Sequence, residues 1–268
     1  MPEGDTVFLA GRRLADALSG ELLVRGEIRH PSLSTVDLSG LTVDGVRSVG
    51  KHLFVRFDDG RSLHSHFRMD GSWHLYRPGE RWRGAGHDVR AVLTTAERVA
   101  VGFRLHDLAL LATSAEAELV GHLGPDLLGP DWGPGDAAEA ALRLASRGDQ
   151  AIGEALLDQR VMAGVGNLYK SEVCFLLGVS PWAPVSSVEA GSVVALCREL
   201  LLRNAWRVEQ STTGELGRRR QQFVYQRTGR PCLRCGTAVR VEMQGSETRE
   251  RGTWFCPHCQ SGPFPGSG

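Results

Sequence analysis

The pattern of hydrophobic and polar positions divides the chain into a leading helix, a strand-rich stretch and a helical stretch. Residues 5–19 carry apolar side chains at helical spacing. We predict a helix there, capped by Asp5 or Thr6 and ended by Gly20. Pro2 and Glu3 come directly before this helix.

From residue 21 to about residue 105, short runs of alternating polarity are separated by turn residues. The runs are ELLVRGEI, LTVDGVRSV, KHLFVRF, RSLHSHF, VRAVLTT and RVAVGF. Turn signals between short strands, such as Asp58-Asp59-Gly60, favour an antiparallel sandwich or barrel over a parallel sheet. Lys51 opens one of these predicted strands immediately after Gly50, and its simplest interpretation is a solvated lysine at a strand end.

After a stretch rich in Gly, Pro and Asp at residues 124–136, which is typical of a linker, the pattern becomes helical. The helical period covers residues 137–147, 151–159, 168–177 and 188–203. The glycine-rich connection QRVMAGVGN joins the second and third of these helices and ends at Asn167, a predicted N-cap. Backbone amides exposed between two helices suit a phosphate.

Four cysteines near the C-terminus have the spacing C-x2-C-x20-C-x2-C, formed by Cys232, Cys235, Cys256 and Cys259. This spacing predicts one structural zinc ion held by four thiolates. Two disulfides are the alternative, which an intracellular setting disfavours. The runs VRVEM and TWFC predict a β-hairpin within this ribbon, with Arg251 near its tip.

Composition places the chain among ordinary globular proteins, with 268 residues, 41% hydrophobic and 23% charged. The net charge is zero, but residues 201–268 hold eleven arginines against five acidic residues, while residues 1–200 hold twenty basic and twenty-six acidic residues. Arginine suits bidentate phosphate contacts. No apolar run approaches the length of a bilayer helix and the N-terminus lacks a signal-peptide pattern, so we predict a cytoplasmic protein with no membrane contact.

The N-terminal residues carry candidate covalent chemistry. Removal of Met1 would leave Pro2 with a free secondary amine, and an α-amino group has a pKa of roughly 7.7–8, so part of it is neutral and nucleophilic near pH 7. Its attack on a masked aldehyde would give an iminium ion, and Glu3 could move protons as a general acid and base. The alternative is a frayed, solvated chain end.

Two further features of the strand-rich stretch carry alternatives. His64 and His66 share one face of a strand, but a catalytic zinc needs a third protein ligand and none is nearby. Arg68 and Met69 precede Asp70-Gly71, as at the tip of a hairpin, where they could form a wedge that enters a base stack. A buried methionine beside a surface arginine is the alternative.

Six segments in order resemble the formamidopyrimidine-DNA glycosylase and endonuclease VIII family of base-excision repair enzymes, over nearly the whole chain. They are MPEGDT, GKHLFVRF, HSHFRMDGSW, HLGPDLL, EALLDQRVMAGVGNLYKSE and the cysteine ribbon with RGTWFCPHCQ. PEG and LLDQ look more like the bacterial endonuclease VIII branch. RMD is closer to the branch that acts on oxidised purines, and Thr6 stands where the family commonly has an acidic residue.

The resemblance implies a multidomain α+β fold. Its parts are an N-terminal antiparallel β-sandwich with a leading helix at 1–123, a linker at 124–136, a helix–two-turn–helix domain at 137–221, a C-terminal β-hairpin zinc finger at 222–262 and a tail at 263–268. It also implies a monomer in the bacterial cytoplasm, used on the nucleoid, with one structural zinc ion. The implied partner is damaged double-stranded DNA, with single-stranded DNA as a further partner.

The implied activity is that of a bifunctional DNA glycosylase and AP lyase that removes oxidised bases, pyrimidines favoured, and then performs β,δ-elimination. By the resemblance, Pro2 would be the Schiff-base nucleophile, Glu3 the proton donor and acceptor, and Lys51 a phosphate contact and proton donor. Asn167 and Arg251 would contact phosphates, and Arg251 would also serve δ-elimination. Arg68 and His122 would contact DNA, and Met69 would be the inserted side chain. Competing interpretations are a non-catalytic zinc-ribbon DNA-binding protein, an 8-oxoguanine glycosylase and a metal-dependent phosphodiesterase.

Overall fold

The computed structural model describes residues 2–217, 219–246 and 250–266. The chain divides into two compact units, Met1–His122 and Leu123–Gly268. In the described residues the helices are α1 Gly4–Leu18, α2 Glu116–Val120, α3 Pro134–Ala145, α4 Ile152–Leu157, α5 Asn167–Leu176 and α6 Ala190–Asn204. The strands are β1 Arg25–Ile28, β2 Val43–Val49, β3 His52–Phe57, β4 Arg61–His66, β5 Ser72–Tyr76, β6 Val89–Thr94, β7 Val99–Phe103, β8 Asp107–Ala112, β9 Arg240–Gln244 and β10 Arg251–Phe255.

The first unit is a β-sandwich of two four-stranded antiparallel sheets, with strand orders β1-β6-β7-β5 and β2-β3-β4-β8. Alternation explains the packing of β3, because Leu53, Val55 and Phe57 enter the core while His52 and Arg56 lie on the opposite face. Helix α1 packs on β2, β3 and β5. The predicted sandwich with a leading helix is confirmed.

Helix α1 starts earlier than the sequence predicts. Glu3 occupies the N-cap position, without a capping bond from its side chain, so the prediction of Asp5 or Thr6 as the cap is wrong. Asp5 is instead buried within the first turn. Gly20 follows the end of the helix with a φ of +80°, a conformation that glycine adopts without steric cost, as predicted for a helix stop.

The connection between β4 and β5 is not a hairpin, and this prediction is wrong. Strand β4 pairs with β3 and β8, whereas β5 pairs with β7, so residues 67–71 cross from one sheet to the other. We call this segment the crossing loop. Phe67 anchors it in the core, and a Cβ at Gly71 would lie 2.6 Å from the Phe67 carbonyl oxygen. The loop therefore needs a glycine at its last position.

The second unit contains α3–α6 and an antiparallel hairpin of β9 and β10. Helix α3 packs against α6, while α5 packs against both α4 and β10. Residues 124–127 run beside the α4–α5 connection, where the Ala163 nitrogen donates to the Pro125 carbonyl at 2.9 Å and the Leu127 nitrogen to the Ala163 carbonyl at 3.2 Å. The predicted helical segment and cysteine-ribbon hairpin are confirmed. Of the helices in the described part of the chain, none has the length and apolarity needed to cross a membrane.

A buried carboxylate fixes the segment that leads to the first cysteine of the ribbon. Glu172 of α5 is fully buried and accepts hydrogen bonds from the backbone nitrogens of Phe223, Val224 and Tyr225, each at 2.8 Å. The Thr212 hydroxyl donates a fourth bond. Burial raises the pKa of Glu172, while these donors oppose that shift.

Candidate functional site

The N-terminal end of α1 brings the predicted nucleophile and its acid to one edge of the first unit. Helix α1 runs antiparallel to β2, because the Gly20 nitrogen donates to the Val43 carbonyl while Gly11 faces Ser48. From Gly11 back to Gly4 the helix spans about 10 Å, which is also about the distance that the strand covers from Ser48 to the β2–β3 turn. The start of α1 therefore lies level with that turn.

Pro2 is half-buried and the side chain that follows it, Glu3, is fully buried at 0% exposure. A frayed and solvated end would not bury a carboxylate, because removing an ionisable group from water is costly unless the fold provides interactions for it. Met1, whose removal the sequence predicts, lies outside the described residues.

The β2–β3 turn carries Lys51. Gly50 and Lys51 form a two-residue hairpin loop between the paired residues Val49 and His52, and Gly50 has a φ of +55°. A glycine at the first position with positive φ is typical of the type II′ turns that connect tightly paired strands. Strand β3 begins at His52, one residue later than predicted. Lys51 is half-buried.

At one end of the second sheet, three adjacent strands place polar residues side by side, an arrangement that the sequence did not reveal. His52 pairs with His66, and His66 pairs with Asp107, so these residues form one row across β3, β4 and β8. We call this row the histidine rung. His64 lies two residues along β4 on the same face, and its Nε2 is 2.9 Å from Nδ1 of His52.

The two histidines of the histidine rung, His52 and His66, are uncharged near pH 7. Burial lowers the pKa of His52 to about 3, with further lowering by His66, His64 and His122. Burial also lowers the pKa of His66 to about 4; the Asp107 carboxylate opposes this shift, and nearby Lys51 and Arg68 add to it.

These electrostatic effects locate three predicted site residues around the rung. Lys51 and Arg68 act on His66, and the exposed His122 acts on His52. A metal site at His64 and His66 is not supported, since among the described residues only the four cysteines bring three or more ligand atoms together.

The crossing loop presents Arg68 and Met69 at the same end of the sheet. Met69 is 54% exposed, so the alternative of a buried methionine is wrong. Arg68 has a φ of +51°, and its Nε donates to Oδ2 of Asp107. This bond, with the charge of Asp107, raises the pKa of Arg68. The sequence revealed the two exposed side chains but not their acidic partner, which lies 39 residues away.

In the second unit, the glycine-rich connection between α4 and α5 is held by Gln159. Its amide nitrogen donates to the carbonyls of Leu157 and Val165, and its amide oxygen accepts from the Gly164 nitrogen at 3.1 Å. A Cβ at Gly124 would lie 2.4 Å from the Val161 carbonyl oxygen, so glycine is needed where the segment before α3 meets this connection.

Asn167 is the first residue of α5 and not its cap, which is Gly166. The predicted capping role is therefore wrong. Its side-chain nitrogen instead donates to the Gly252 carbonyl at 2.9 Å, because α5 packs directly on β10. Lys170, one turn later, is fully buried and donates to the Thr253 hydroxyl.

The structure thereby brings Asn167 next to Arg251. Arg251 is the exposed first residue of β10, opposite Gln244 in β9 and adjacent in sequence to Gly252. Gln244 is buried, and its side-chain nitrogen donates to the Pro181 carbonyl at 2.8 Å. On both strands, the residues beside the hairpin tip are thus hydrogen-bonded to the helical part of the second unit.

The four cysteines fit a single zinc ion. The Sγ atoms of Cys232 and Cys259 are 3.9 Å apart, those of Cys235 and Cys256 are 3.5 Å apart, and all four lie within 4.8 Å of one another. A tetrahedral zinc with Zn–S bonds of about 2.3 Å places its sulfurs about 3.8 Å apart. Disulfides need S–S distances near 2.05 Å, so that alternative is wrong for these pairs.

Comparison with known proteins identifies the family. Residues 1–120 match the formamidopyrimidine-DNA glycosylase N-terminal domain, and residues 123–215 match the formamidopyrimidine-DNA glycosylase H2TH domain. The chain belongs to the formamidopyrimidine-DNA glycosylase family.

Within the formamidopyrimidine-DNA glycosylase family, the chain is 53% identical to "Probable endonuclease 8 2" of Streptomyces coelicolor, over 100% of this chain and 97% of that protein. It is 45% identical to "DNA-(apurinic or apyrimidinic site) lyase Nei2" of Mycolicibacterium smegmatis, over 97% and 99% of the two chains. Lactococcus lactis Fpg, solved with DNA containing an abasic site, matches with a TM-score of 0.79 at 23% identity, over 97% of this chain and 100% of that one. This last match supports the fold.

Proposed function

We propose that this protein is a bifunctional DNA glycosylase and AP lyase of base-excision repair. The observation that carries the proposal is the fully buried carboxylate of Glu3 beside Pro2. The names of the relatives, endonuclease 8 and DNA-(apurinic or apyrimidinic site) lyase, support this activity. We further propose that it acts as a monomer on damaged duplex DNA and also on single-stranded DNA.

In the proposed reaction, a damaged nucleotide leaves the stack, which costs a few kcal/mol. The free nitrogen of Pro2 attacks C1′ of the sugar while Glu3 assists ring opening by moving a proton to the sugar oxygen. The base departs, and an iminium ion joins Pro2 to the DNA. Met69 fills part of the gap in the duplex.

The iminium ion then serves as an electron sink. It makes the C2′ proton acidic, so the 3′ phosphate leaves by β-elimination and the 5′ phosphate by δ-elimination, leaving a one-nucleotide gap. Lys51 contacts phosphate and supplies a proton for β-elimination. Asn167 and Arg251 contact phosphates, Arg251 also serves δ-elimination, and His122 and Arg68 are further DNA contacts.

Zinc, held by Cys232, Cys235, Cys256 and Cys259, would supply folding energy to the β9–β10 hairpin and take no part in bond breaking. The chain's own residues support this assignment, because four thiolates close the tetrahedron and leave no position for a substrate or water. Arg251 depends on that hairpin for its place beside Asn167.

Trapping of the covalent intermediate tests the proposal. Met-free protein is incubated with a duplex that carries an abasic site, in the presence of borohydride, which reduces the iminium to a stable amine. We expect a covalent complex, and none with protein whose N-terminal amine has been acetylated. If unblocked protein gives no adduct but still binds DNA, it is a non-catalytic binding module. Loss of strand cleavage after brief EDTA treatment that leaves the cysteine-bound zinc in place would instead indicate a metal-dependent phosphodiesterase.

We propose oxidised pyrimidines as the favoured lesions. The support is the similarity to relatives named endonuclease 8 over the whole chain. The test is a competition among thymine glycol, 5-hydroxyuracil and 8-oxoguanine in otherwise identical duplexes. A clear preference for 8-oxoguanine opposite cytosine would show that the RMD segment of the crossing loop outweighs this similarity.

A further inference from the structure

Arg68 is held by two separate contacts that come from the histidine rung. Its backbone nitrogen donates to Nδ1 of His66 at 3.2 Å, and its side-chain Nε donates to Oδ2 of Asp107. The backbone contact explains how a non-glycine residue keeps a φ of +51°, a conformation that is sterically unfavourable for L-residues. The two contacts together fix both the backbone and the side chain of Arg68.

The two residues that hold Arg68 are themselves fixed. His66 and Asp107 are directly opposite in the β4–β8 ladder, and Nδ1 of His66 is 3.9 Å from Oδ2 of Asp107. Hydrogen bonding by Arg68, opposed by desolvation, lowers the pKa of Asp107, so the carboxylate is ionised near neutral pH. The neighbouring loop residue Asp70 is braced separately by Arg104, whose Nε is 3.2 Å from Oδ2 of Asp70.

The contact leaves the outer edge of the guanidinium available to a ligand. Asp107 uses Nε, and the Arg68 side chain remains 61% exposed. The two terminal nitrogens of an arginine form a fork of parallel donors that matches a pair of acceptors, as guanine presents them. A long side chain that is ordered before binding loses less conformational freedom when it meets its ligand.

We propose that Asp107 is a positioning residue that orients Arg68 to read the base opposite the lesion. This inference rests on the proposed function, in which Met69 and Arg68 enter the duplex where the damaged nucleotide left. Asp107 touches neither substrate nor reacting atoms; it acts through Arg68, and His66 sets the backbone from which Arg68 projects.

The experiment compares Asp107→Asn with wild type on duplexes that carry 5-hydroxyuracil opposite each of the four bases. The readout is the ratio of kcat/KM between the best and worst opposite base, so a rate change common to all substrates does not count. Asp59→Asn is the matched control, because the Asp59 carboxylate also accepts from an arginine Nε, that of Arg61 at 2.6 Å, in the turn between β3 and β4. Asp107→Glu, which keeps the carboxylate, tests rescue.

We expect the ratio to fall about fivefold in Asp107→Asn, the lower end of the discrimination given by a bidentate arginine–base contact. Asp59→Asn should keep the wild-type ratio, and Asp107→Glu should restore part of it. In an Arg68→Gln background, Asp107→Asn should change the ratio no further.

An unchanged or increased ratio in Asp107→Asn overturns the inference, and so does a wild-type enzyme without opposite-base preference. An effect of Asp107→Asn that persists in the Arg68→Gln background also overturns it, because Asp107 would then act by another route. Failure of wild-type protein to form the borohydride-trapped adduct is a different result, since it rejects the proposed function itself.

Discussion

At the scale of single residues, the proposed catalysis depends on the buried acid Glu3. Glu3 begins α1 as its N-cap and is fully buried, yet its side chain does not cap the helix. An acidic residue near a helix N-terminus interacts favourably with the helix dipole. Glu3 could therefore lie next to Pro2 because it stabilises the helix or because it transfers protons in catalysis. Substitution of Glu3 can separate these two roles.

Glu3→Gln should lower base excision by about 10²- to 10⁴-fold, the usual contribution of a general acid and base. DNA binding should remain, and cleavage at preformed abasic sites should be less affected, because those substrates have no base to expel. Excision of 5-hydroxyuracil and nicking of abasic DNA are measured in parallel. Glu21→Gln, at an exposed glutamate, is the control. Excision at the wild-type rate in Glu3→Gln would remove Glu3 from this role.

At the scale of secondary-structure elements, the β9–β10 hairpin connects the cysteine cluster to the helical part of the second unit. Asn167 and Lys170 of α5 bond to Gly252 and Thr253 of β10, and the cluster lies at the other end of the same strand. Loss of the metal should therefore unfold the hairpin and displace Arg251, because zinc-binding energy is folding energy in such sites.

Cys256→Ser should release zinc and lower DNA affinity at least tenfold while the first unit stays folded. Zinc content is measured by a colorimetric chelator, affinity by fluorescence anisotropy, and folding of the first unit by its thermal transition. Cys197→Ser is the matched control, since Cys197 is a buried cysteine of α6 outside the cluster. Wild-type DNA affinity in the zinc-free variant would show that the hairpin is not part of the DNA site.

Sequence patterns identified elements where local signals are strong and missed those that depend on pairing. The sequence pattern does not predict β8, because DLALLA lacks strict alternation, nor β5, because SWHLY has only five residues. The crossing loop looked like a hairpin because an Asp-Gly pair separates two strands, and only the pairing of β5 with β7 shows otherwise. The further division of the second unit at residue 221 remains a prediction.

The candidate site shows the same limit. Pro2, Glu3 and the four cysteines stood out because a chain end and a fixed spacing are visible in a linear sequence. His52, His66 and Asp107 did not, because only the register of three strands brings residues 52, 66 and 107 into one row. Local sequence predicts Asn167 as a cap because its actual partner in β10 is 85 residues away.

At the scale of the whole molecule, the two uncharged histidines of the histidine rung, His52 and His66, make stability depend on pH. His66 binds a proton only near pH 4 and His52 only near pH 3 in the folded protein, because burial lowers both pKa values, whereas an unfolded histidine binds one near pH 6.5. Between these values the unfolded chain holds more protons. The free energy of unfolding therefore falls as the pH drops from about 6.5 toward 4.

We expect the two histidines to cost the first unit about 1–2 kcal/mol each at pH 5 relative to pH 7. Urea unfolding at pH 7, 6 and 5, followed through exchange of the β3 and β4 amides, measures this loss. The double variant His52→Gln, His66→Gln should show a shallower decline. His87→Gln, at a side chain that is 85% exposed, is the control. A decline as steep in the double variant as in wild type would contradict the prediction.

The single carboxylate of Glu172 also has a spectroscopic consequence. It accepts three consecutive backbone amides, those of Phe223, Val224 and Tyr225, and all three are released when that one side chain withdraws. In deuterated water, these amides should therefore share one protection factor, set by a single opening equilibrium. Three neighbouring amides with the same protection factor would give the free energy with which the segment before Cys232 is attached to α5.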